Sequence, residues 1–115
     1  MIKHAADLKT EVSTNRFGGT GEIHSTSLLA KEQFLGKRRL FAHNKVKPGS
    51  SLGRHQHNGD FEVFYILRGE GIVDDNGSKS PIKAGDVIVT SNGESHGIEN
   101  TGRVDLEYIA LILFV

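Results

Sequence analysis

A pair of histidines and a nearby glutamate are the residues of this sequence best suited to chemistry. His55 and His57 are separated by a single residue, and Glu62 follows five residues later. Side chains two apart on a β-strand point to the same face, so both imidazoles are expected to project together. A turn at 58–60 would reverse the chain, as in a hairpin, and let Glu62 face the same interior. Imidazole nitrogens with a carboxylate are typical ligands of a transition metal.

The fourth candidate ligand is His96, which lies far from the others in the segment G-E-S-H-G-I-E-N. A single histidine on a strand is more often a surface residue than a ligand, and two histidines one residue apart are weak evidence by themselves. The alternative is that all four residues are polar groups scattered over an antiparallel sheet. The choice between the two interpretations depends on agreement with other features.

The residues around these candidates resemble a known family. Residues 49–69 resemble the first motif of the cupin family, and residues 85–100 resemble the second. The matching positions are Gly49, His55, His57, Glu62, Gly69, Gly85, Gly93, His96 and Asn100. Together the two segments cover under half of the chain. Ser91 departs from the pattern, because the family usually has proline there, and Ser91→Pro is therefore expected to be neutral or stabilising by about 0.4–1 kcal/mol.

The resemblance implies one metal ion held by His55, His57, Glu62 and His96. Histidines bind metal in their neutral form, so affinity should fall as the pH drops through ~6.5, the value of a free imidazole. The ion is expected to be a divalent transition metal, and the ligand types do not choose among Mn, Fe, Co, Ni and Zn. An ion with further free positions would accept water or a ligand with two adjacent oxygens.

Strand alternation predicts the walls of a pocket beside these ligands. The predicted pocket residues are Phe64, Ile66, Ile98, Asn100 and Tyr108. The first two share a strand face with Glu62, and the next two share one with His96. Tyr108 is included as a polar group, although burial preferences favour a core tyrosine at this position.

The composition excludes several other functions. The formal net charge is zero, which gives no electrostatic case for binding nucleic acid or an anionic membrane. There are no cysteines, so disulfides and thiolate metal sites are excluded. The N-terminus lacks an apolar signal core, and the longest apolar run, residues 108–115, is too short to span a bilayer. A cytoplasmic protein is therefore expected.

Short strands with frequent turns are predicted over most of the chain, which indicates an all-β fold. The sequence has 14 glycines and 2 prolines, and Asn76-Gly77 is a strong hairpin signal. Residues 30–35, closed by Gly36, are the one stretch suited to a short helix. The resemblance narrows the fold to the cupin double-stranded β-helix, a jelly-roll barrel.

The predicted organisation is a single domain with two parts, since 115 residues suit one compact unit. Residues 1–36 form an N-terminal arm with an edge strand over 22–28, and residues 37–115 form the cupin barrel. Residues 63–67 and 108–115 are apolar on both strand faces, so one face remains after the barrel is filled. A homodimer would cover that face.

Two function classes fit these features, and both have a small-molecule ligand. The first is a metal-dependent enzyme of dioxygenase, isomerase, epimerase or decarboxylase type, acting on a hydroxy acid, keto acid, sugar or similar oxygen-rich molecule. The second is a non-catalytic module that binds a metal or a small molecule. The complete set of four ligands favours the enzyme, whereas the lack of an identifiable catalytic acid or base favours the binding module.

Overall fold

Ten β-strands and three 3₁₀ helices form the regular structure of the described residues. The computed structural model describes the backbone of all 115 residues and every side chain except that of residue 38. The strands are β1 (Thr10–Thr14), β2 (Glu22–Ser27), β3 (Arg38–Val46), β4 (Ser51–Gln56), β5 (Asp60–Arg68), β6 (Glu70–Asp75), β7 (Ser78–Lys83), β8 (Val87–Thr90), β9 (Ser95–Asn100) and β10 (Leu106–Phe114). The 3₁₀ helices are Ala5–Asp7, Arg16–Gly18 and Lys31–Phe34. None of these described helices has the length and apolarity needed to cross a membrane.

The strands form two antiparallel sheets that share one core. The larger sheet has six strands in the order β1-β2-β3-β10-β5-β8, and the smaller has four in the order β4-β9-β6-β7. This all-β jelly-roll arrangement confirms the predicted fold class. The single predicted helical turn is also present, as the 3₁₀ helix Lys31–Phe34.

The core lies between the two sheets because the long strands alternate buried and less buried residues. In β10, every second residue from Leu106 to Ile112 is buried. One apolar cluster joins Ile66 of the six-stranded sheet to Val73 and Ile98 of the four-stranded sheet. Each such side chain contributes about 1.5–3 kcal/mol when fully buried, so this cluster is the main stabilising feature that holds the sheets together.

The hairpin of β6 and β7 forms at the predicted Asn-Gly pair. Asn76 and Gly77 have φ angles of 51° and 91°, and a type I′ turn requires positive φ at both central positions. The Asp74 carboxylate accepts a hydrogen bond of 2.7 Å from the Gly77 N–H, which fixes the turn.

The connection between β4 and β5 differs from the hairpin expected at 58–60. β4 belongs to the four-stranded sheet and β5 to the six-stranded sheet. The turn therefore carries the chain across from one sheet to the other, with Gly59 at a φ of 79°. β4 pairs instead with β9, where His55 lies opposite His96. Local alternation places side chains on a face but does not determine which strands pair.

Residues 1–36 contribute two strands to the larger sheet. The predicted edge strand is present as β2, which pairs with β3. β1 pairs with β2 outside it, although its polar sequence gives no clear strand signal. The boundary predicted at residue 36 stays a prediction, and both strands before it continue the same sheet as β3.

The outer face of the larger sheet carries four exposed apolar side chains. Tyr65, Leu67, Val87 and Val89 are between 43% and 58% exposed. Tyr65 lies opposite Val87 in the pairing of β5 with β8, so these side chains form one patch. The sequence predicts that both faces of β5 are covered, but residues 1–36 do not cover this one.

Candidate metal centre

The four predicted ligands meet at one point between the sheets. Their ligand atoms all lie within 4.8 Å of one another. Glu62 Oε1 is 3.0 Å from His57 Nε2 and 2.9 Å from His96 Nε2. His96 Nε2 is also 3.1 Å from His57 Nε2 and 3.2 Å from His55 Nε2. Three imidazole nitrogens and a carboxylate oxygen thus face a common centre.

Strand pairing in both sheets brings these ligands together. His55 lies opposite His96 across β4 and β9, and the register of that pair shifts between Leu52 and His55. His57 follows directly after β4, where the chain crosses to the other sheet. Glu62 lies on β5 and is buried, like its neighbours at every second position of that strand. Both sheets therefore contribute ligands to the site.

The second ring nitrogen of each histidine is held by the protein. The Nδ1 contacts are 2.8 Å from His55 to the Gly53 carbonyl, 2.8 Å from His57 to Asp60 Oδ1 and 2.6 Å from His96 to Thr90 Oγ1. A carbonyl and a carboxylate only accept, so the first two Nδ1 atoms carry the proton and donate it. This tautomer leaves Nε2 as the metal-binding atom, and the Thr90 hydroxyl accommodates the same tautomer at His96.

The donor set fits a divalent transition metal. Lone pairs on nitrogens 3.1–3.2 Å apart repel each other unless a cation or a proton lies between them. Three imidazoles with one carboxylate suit Mn, Fe, Co, Ni or Zn, whereas Ca²⁺ and Mg²⁺ prefer oxygen ligands throughout. The residues that would hold the ion are His55, His57, Glu62 and His96.

Asp60 connects the ligand His57 to the rim of the site. Its carboxylate is 1% exposed, and Oδ2 accepts a hydrogen bond of 2.8 Å from Arg39 Nη1. Burial by itself would raise the pKa of Asp60, but the hydrogen bonds from Arg39 and His57 outweigh it and lower the pKa below its ordinary value. A charged Asp60 therefore holds the His57 ring in its metal-binding orientation.

Metal affinity is expected to depend on pH through the ligand histidines. Burial lowers the pKa of His55, and the neighbouring His96 and His57 lower it further, against an opposing hydrogen bond to Gly53. His55 Nε2 is therefore free of a proton at neutral pH. We expect Mn²⁺ affinity to fall as the pH drops below ~6.5, where protons compete for imidazoles. Calorimetric titrations between about pH 5 and 8 measure this, and a pH-independent affinity would contradict it.

A cavity of about 340 Å³ opens beside the ligands. This volume lies at the lower end of the ~300–1,000 Å³ range typical of small-molecule pockets. Phe64 and Tyr108, two of the predicted pocket residues, line it. The Phe64 ring centroid is 4.9 Å from that of His96 and 4.3 Å from that of Tyr108, so one stack of rings runs from the ligands along the cavity wall.

The other three predicted pocket residues lie in the core. Ile66 and Ile98 belong to the apolar cluster rather than to the lining of this cavity. Asn100 is 2% exposed, and its amide donates hydrogen bonds of 2.8 Å to the carbonyls of Val46 and Val104. Alternation assigns a side chain to the inner face, but it does not separate a cavity wall from solid core.

Phe17 covers the ligand His55 at the cavity mouth. The two rings stack with centroids 4.0 Å apart and an angle of 14° between their planes. Phe17 has a φ of 51°, and a side chain in this left-handed region costs roughly 1–2 kcal/mol. A Cβ added to Gly53 would lie 1.9 Å from the Phe17 carbonyl oxygen. The glycine in β4 thus lets the loop approach, where the sequence predicts only a flexible link.

Gly53→Ala is expected to displace the Phe17 loop from the site. The added methyl group would overlap the Phe17 carbonyl at 1.9 Å and the Gly19 nitrogen at 2.8 Å, so backbone must move. We expect a loss of about 1–3 kcal/mol in the free energy of unfolding, measured by denaturant titration. Gly102→Ala is the control, because its nearest contact is the flexible Glu70 side chain at 3.2 Å. An equal loss in both variants would contradict the close approach.

The turn at Ser91 explains why proline is not needed there. The Ser91 N–H donates a hydrogen bond of 2.8 Å to the Glu94 carboxylate, and the Glu94 N–H returns one of 3.0 Å to the Ser91 carbonyl. The hydrogen bond from the Ser91 backbone is the main reason that the pKa of Glu94 is lowered. Proline has no N–H, so the neutral or stabilising effect expected of Ser91→Pro stays a prediction that this hydrogen bond argues against.

Ser91→Pro is instead expected to lower the melting temperature. The substitution removes the donor to Glu94 at 2.8 Å and leaves that carboxylate without its strongest local partner. Ser91→Ala keeps the N–H and loses only the hydroxyl, which also interacts with Glu94, so it should melt closer to the wild-type temperature than Ser91→Pro. Differential scanning calorimetry of both variants measures the difference, and a Ser91→Pro protein that melts at or above the wild-type temperature would restore the original expectation.

Several residues of the site were not found from the sequence. Asp60 carries a usable signal, because a carboxylate three residues after the ligand His57 is a common orienting partner of metal-bound histidine. Thr90 and Arg39 carry no such signal, since their contacts depend on how distant strands pair. Phe17 lies in a glycine-rich segment that reads as a plain loop.

Comparison with known proteins supports the same interpretation. The family profile described as "Cupin domain" matches residues 42–112. A Thermotoga maritima protein named "Oxalate-binding protein" is 50% identical over 115 residues, which is 100% of this chain and 95% of that protein. A crystal structure of a "predicted oxalate decarboxylase" from Thermotoga maritima superimposes with a TM-score of 0.95 at 50% identity, covering 100% of both chains.

A more distant structure shares the fold alone. The polyketide cyclase RemF from Streptomyces resistomycificus superimposes with a TM-score of 0.77 at 21% identity, covering 100% of this chain and 86% of its own. The family profile, by contrast, matches more than half of the present sequence and includes all four ligands. The protein is a member of the cupin family.

Proposed function

We propose that this cupin holds a divalent transition metal with His55, His57, Glu62 and His96 and uses it to bind a small oxygen-rich anion. The observation that carries the proposal is the convergence of four ligand atoms within 4.8 Å beside a cavity of about 340 Å³. When bound, the metal supplies a Lewis-acid centre for carboxylate or carbonyl oxygens. The simplest such anion is oxalate, which the name of the 50% identical relative also suggests.

The chain's own residues have separate roles in this binding. The Nδ1 hydrogen bonds of His55 and His57 at 2.8 Å fix both rings with Nε2 turned inward. Phe17 stacks on His55 at 4.0 Å and shields that side of the site from water. Phe64 forms an apolar wall that favours the carbon skeleton of a ligand over bulk water.

Oxalate binding to the metal-loaded protein tests the proposal. Mn²⁺-loaded protein is titrated with oxalate by calorimetry, and the metal-free protein is titrated in parallel. We expect saturable binding of one oxalate per chain with Mn²⁺ present and none without it. Propionate, a monocarboxylate that cannot chelate through two carboxylates, is the ligand control. Absence of Mn²⁺ binding, or equal oxalate binding with and without the metal, would refute the proposal.

A catalytic role is the second candidate, favoured by two ionisable side chains at the cavity. Glu11 and Arg16 both line it, and a carboxyl group is a general acid of the kind that a proton transfer to the product requires. Decarboxylation of the oxalate monoanion would release one carbon dioxide and leave one formate, with no other reactant required. Formate assays with Mn²⁺-loaded protein and a Glu11→Gln variant separate turnover from binding, since oxalate that binds without formate release identifies a binding module.

We also propose that the protein forms a homodimer through the outer face of the larger sheet. Tyr65, Leu67, Val87 and Val89 form an exposed apolar patch on adjacent strands, and a second copy of the same patch would cover it. Light scattering at micromolar concentration tests this, with Val89→Asp as the disrupting variant. A wild-type protein of monomeric mass would refute the dimer.

A further inference from the structure

Three buried polar atoms of residues that line the cavity have no hydrogen-bond partner. Ser25 Oγ, Asn44 Oδ1 and the Tyr108 hydroxyl have no hydrogen-bond partner among the side chains and backbone that the structure describes. Tyr108 is 0% and Asn44 8% exposed, and all three residues line the cavity that the metal ligands His55, His57 and Glu62 also line. Buried polar groups are normally paired, and leaving one unpaired costs about 1–3 kcal/mol. Three such groups in one cavity therefore indicate a site built for a ligand.

The three residues form one row across three strands, which we call the polar row. Ser25 of β2 lies directly opposite Asn44 of β3, and Asn44 lies directly opposite Tyr108 of β10. Residues opposite each other on one sheet face have adjacent side chains. The three side chains are therefore adjacent on one face of the sheet and form a continuous surface.

Two alanines and the Phe64 ring, which lies opposite Ala110, separate the polar row from the metal ligands. The next inward pair along β3 and β10 is Ala42 with Ala110, and beyond it Ile112 lies opposite Glu62. Ala42 lines the cavity, so the missing side-chain volume there helps to form the space. The polar row lies four residues along the sheet from Glu62, because Tyr108 is paired with Ile66, and this corresponds to about 13 Å of strand.

The surroundings of Tyr108 keep its phenol protonated. Burial raises the pKa of Tyr108, and the Glu62 carboxylate raises it further, so the phenol stays protonated and able to donate. The positive charge of Arg16, which also lines the cavity, acts in the opposite direction and lowers the pKa of Tyr108. The neighbouring Asn44 side chain also lowers the pKa of Tyr108. Its Oδ1 and the phenol are nevertheless not placed for a hydrogen bond of normal geometry. The phenol is therefore a neutral hydrogen-bond donor in a residue that lines the cavity.

We propose that the polar row is a second subsite, which binds a hydroxyl group at the far end of a ligand whose other end is bound at the metal. The proposal rests on the proposed metal-dependent binding and specifies the ligand class. Oxalate reaches only the metal end, whereas an α-hydroxy or α-keto acid with a terminal hydroxyl reaches both. The physiological ligand is therefore longer than oxalate.

Hydrogen-bonding roles at the row favour a hydroxyl over a second carboxylate. Asn44 Oδ1 only accepts, whereas the Tyr108 and Ser25 hydroxyls both donate and accept. A ligand hydroxyl donates to Asn44 Oδ1 and accepts from the hydroxyl of Tyr108 or Ser25, so both its donor and its acceptor are paired. A carboxylate has no proton to donate to Asn44, and it would bring a second negative charge toward Glu11, which lies opposite Ser25 at the end of the row and lines the same cavity.

Binding of two acids that differ by one hydroxyl tests the subsite. Mn²⁺-loaded protein is titrated by calorimetry with 2,6-dihydroxyhexanoate and with 2-hydroxyhexanoate, and then with their shorter and longer homologues. At the matching chain length, we expect the terminal hydroxyl to tighten binding about tenfold or more, the value of a well-made hydrogen bond. Tyr108→Phe and Ser25→Ala should each reduce this preference. Tyr65→Phe on the outer face is the matched control and should change neither ligand.

The outcomes separate this inference from the proposed function. If oxalate binds and no chain length shows a preference for the terminal hydroxyl, the subsite is refuted and metal-dependent binding stands. A preference that survives in Tyr108→Phe, with a normal melting transition, also refutes it. If the wild-type protein does not bind Mn²⁺, or does not bind oxalate when Mn²⁺ is present, the proposed function is refuted instead. Tighter binding of the matching dicarboxylate would show that the row binds an anion and would overturn the assignment to hydroxyl.

Discussion

Replacing His96 with alanine is expected to reduce Mn²⁺ affinity by more than about 100-fold, beyond the 10–100-fold typical of changes outside the ligand set. His96 is the central ligand, since its Nε2 is 2.9 Å from Glu62, 3.1 Å from His57 and 3.2 Å from His55. It is also 1% exposed, so water cannot freely take its place. Removing it leaves two imidazoles and a carboxylate around a gap.

Thermal unfolding with and without Mn²⁺ measures this effect along with direct titration. A ligand at 100 times its Kd stabilises the folded protein by about 2.7 kcal/mol, and His96→Ala should lose that stabilisation. His43→Ala is the control, because His43 bonds Glu107 at 3.0 Å and lies outside the ligand group. Should the His96 variant not fold, the half-buried His55 gives a second test. Wild-type Mn²⁺ content in both ligand variants would disprove the metal centre.

The ligand set could be predicted because its signal is mostly local. His55 and His57 need only strand alternation, and the motif around His96 supplies the fourth residue without knowledge of how the strands pair. The hairpin at Asn76-Gly77 is equally local, since positive φ at both positions, 51° and 91°, is a property of those residue types. Local chemistry therefore accounts for what the sequence predicts well.

The rest of the site depends on contacts that the sequence does not display. Ser25, Asn44 and Tyr108 become neighbours only through the pairing of β2, β3 and β10, and β10 lies at the far end of the chain from the other two strands. The crossing from β4 to β5 was hidden for the same reason, because a turn sequence is compatible with a hairpin or with a change of sheet. At Ser91 the missing information was a single hydrogen bond to Glu94.

Asp60→Asn is expected to lower Mn²⁺ affinity by about 10–100-fold although Asp60 is not a predicted ligand. Its two oxygens accept from His57 Nδ1 and from Arg39 Nη1, each at 2.8 Å. Asparagine has one acceptor oxygen and one donating amide, so one of the two contacts becomes donor against donor. The negative charge that makes the His57 ring a stronger ligand is also lost. Direct Mn²⁺ titration at constant pH measures the change.

Two further variants decide whether Asp60 acts through His57 or only through packing. Asp105→Asn removes a carboxylate that pairs with Lys47 at 3.1 Å on the surface, and its Mn²⁺ affinity should match the wild type. Arg39→Met removes the other partner of Asp60, but the Arg39 side chain is 61% exposed, so its effect on affinity should be smaller than that of Asp60→Asn. A purely structural Asp60 would instead give an Asp60→Asn protein that melts earlier yet binds Mn²⁺ normally. That result would assign the orientation of His57 to the turn at Gly59, which has a φ of 79°, rather than to the carboxylate.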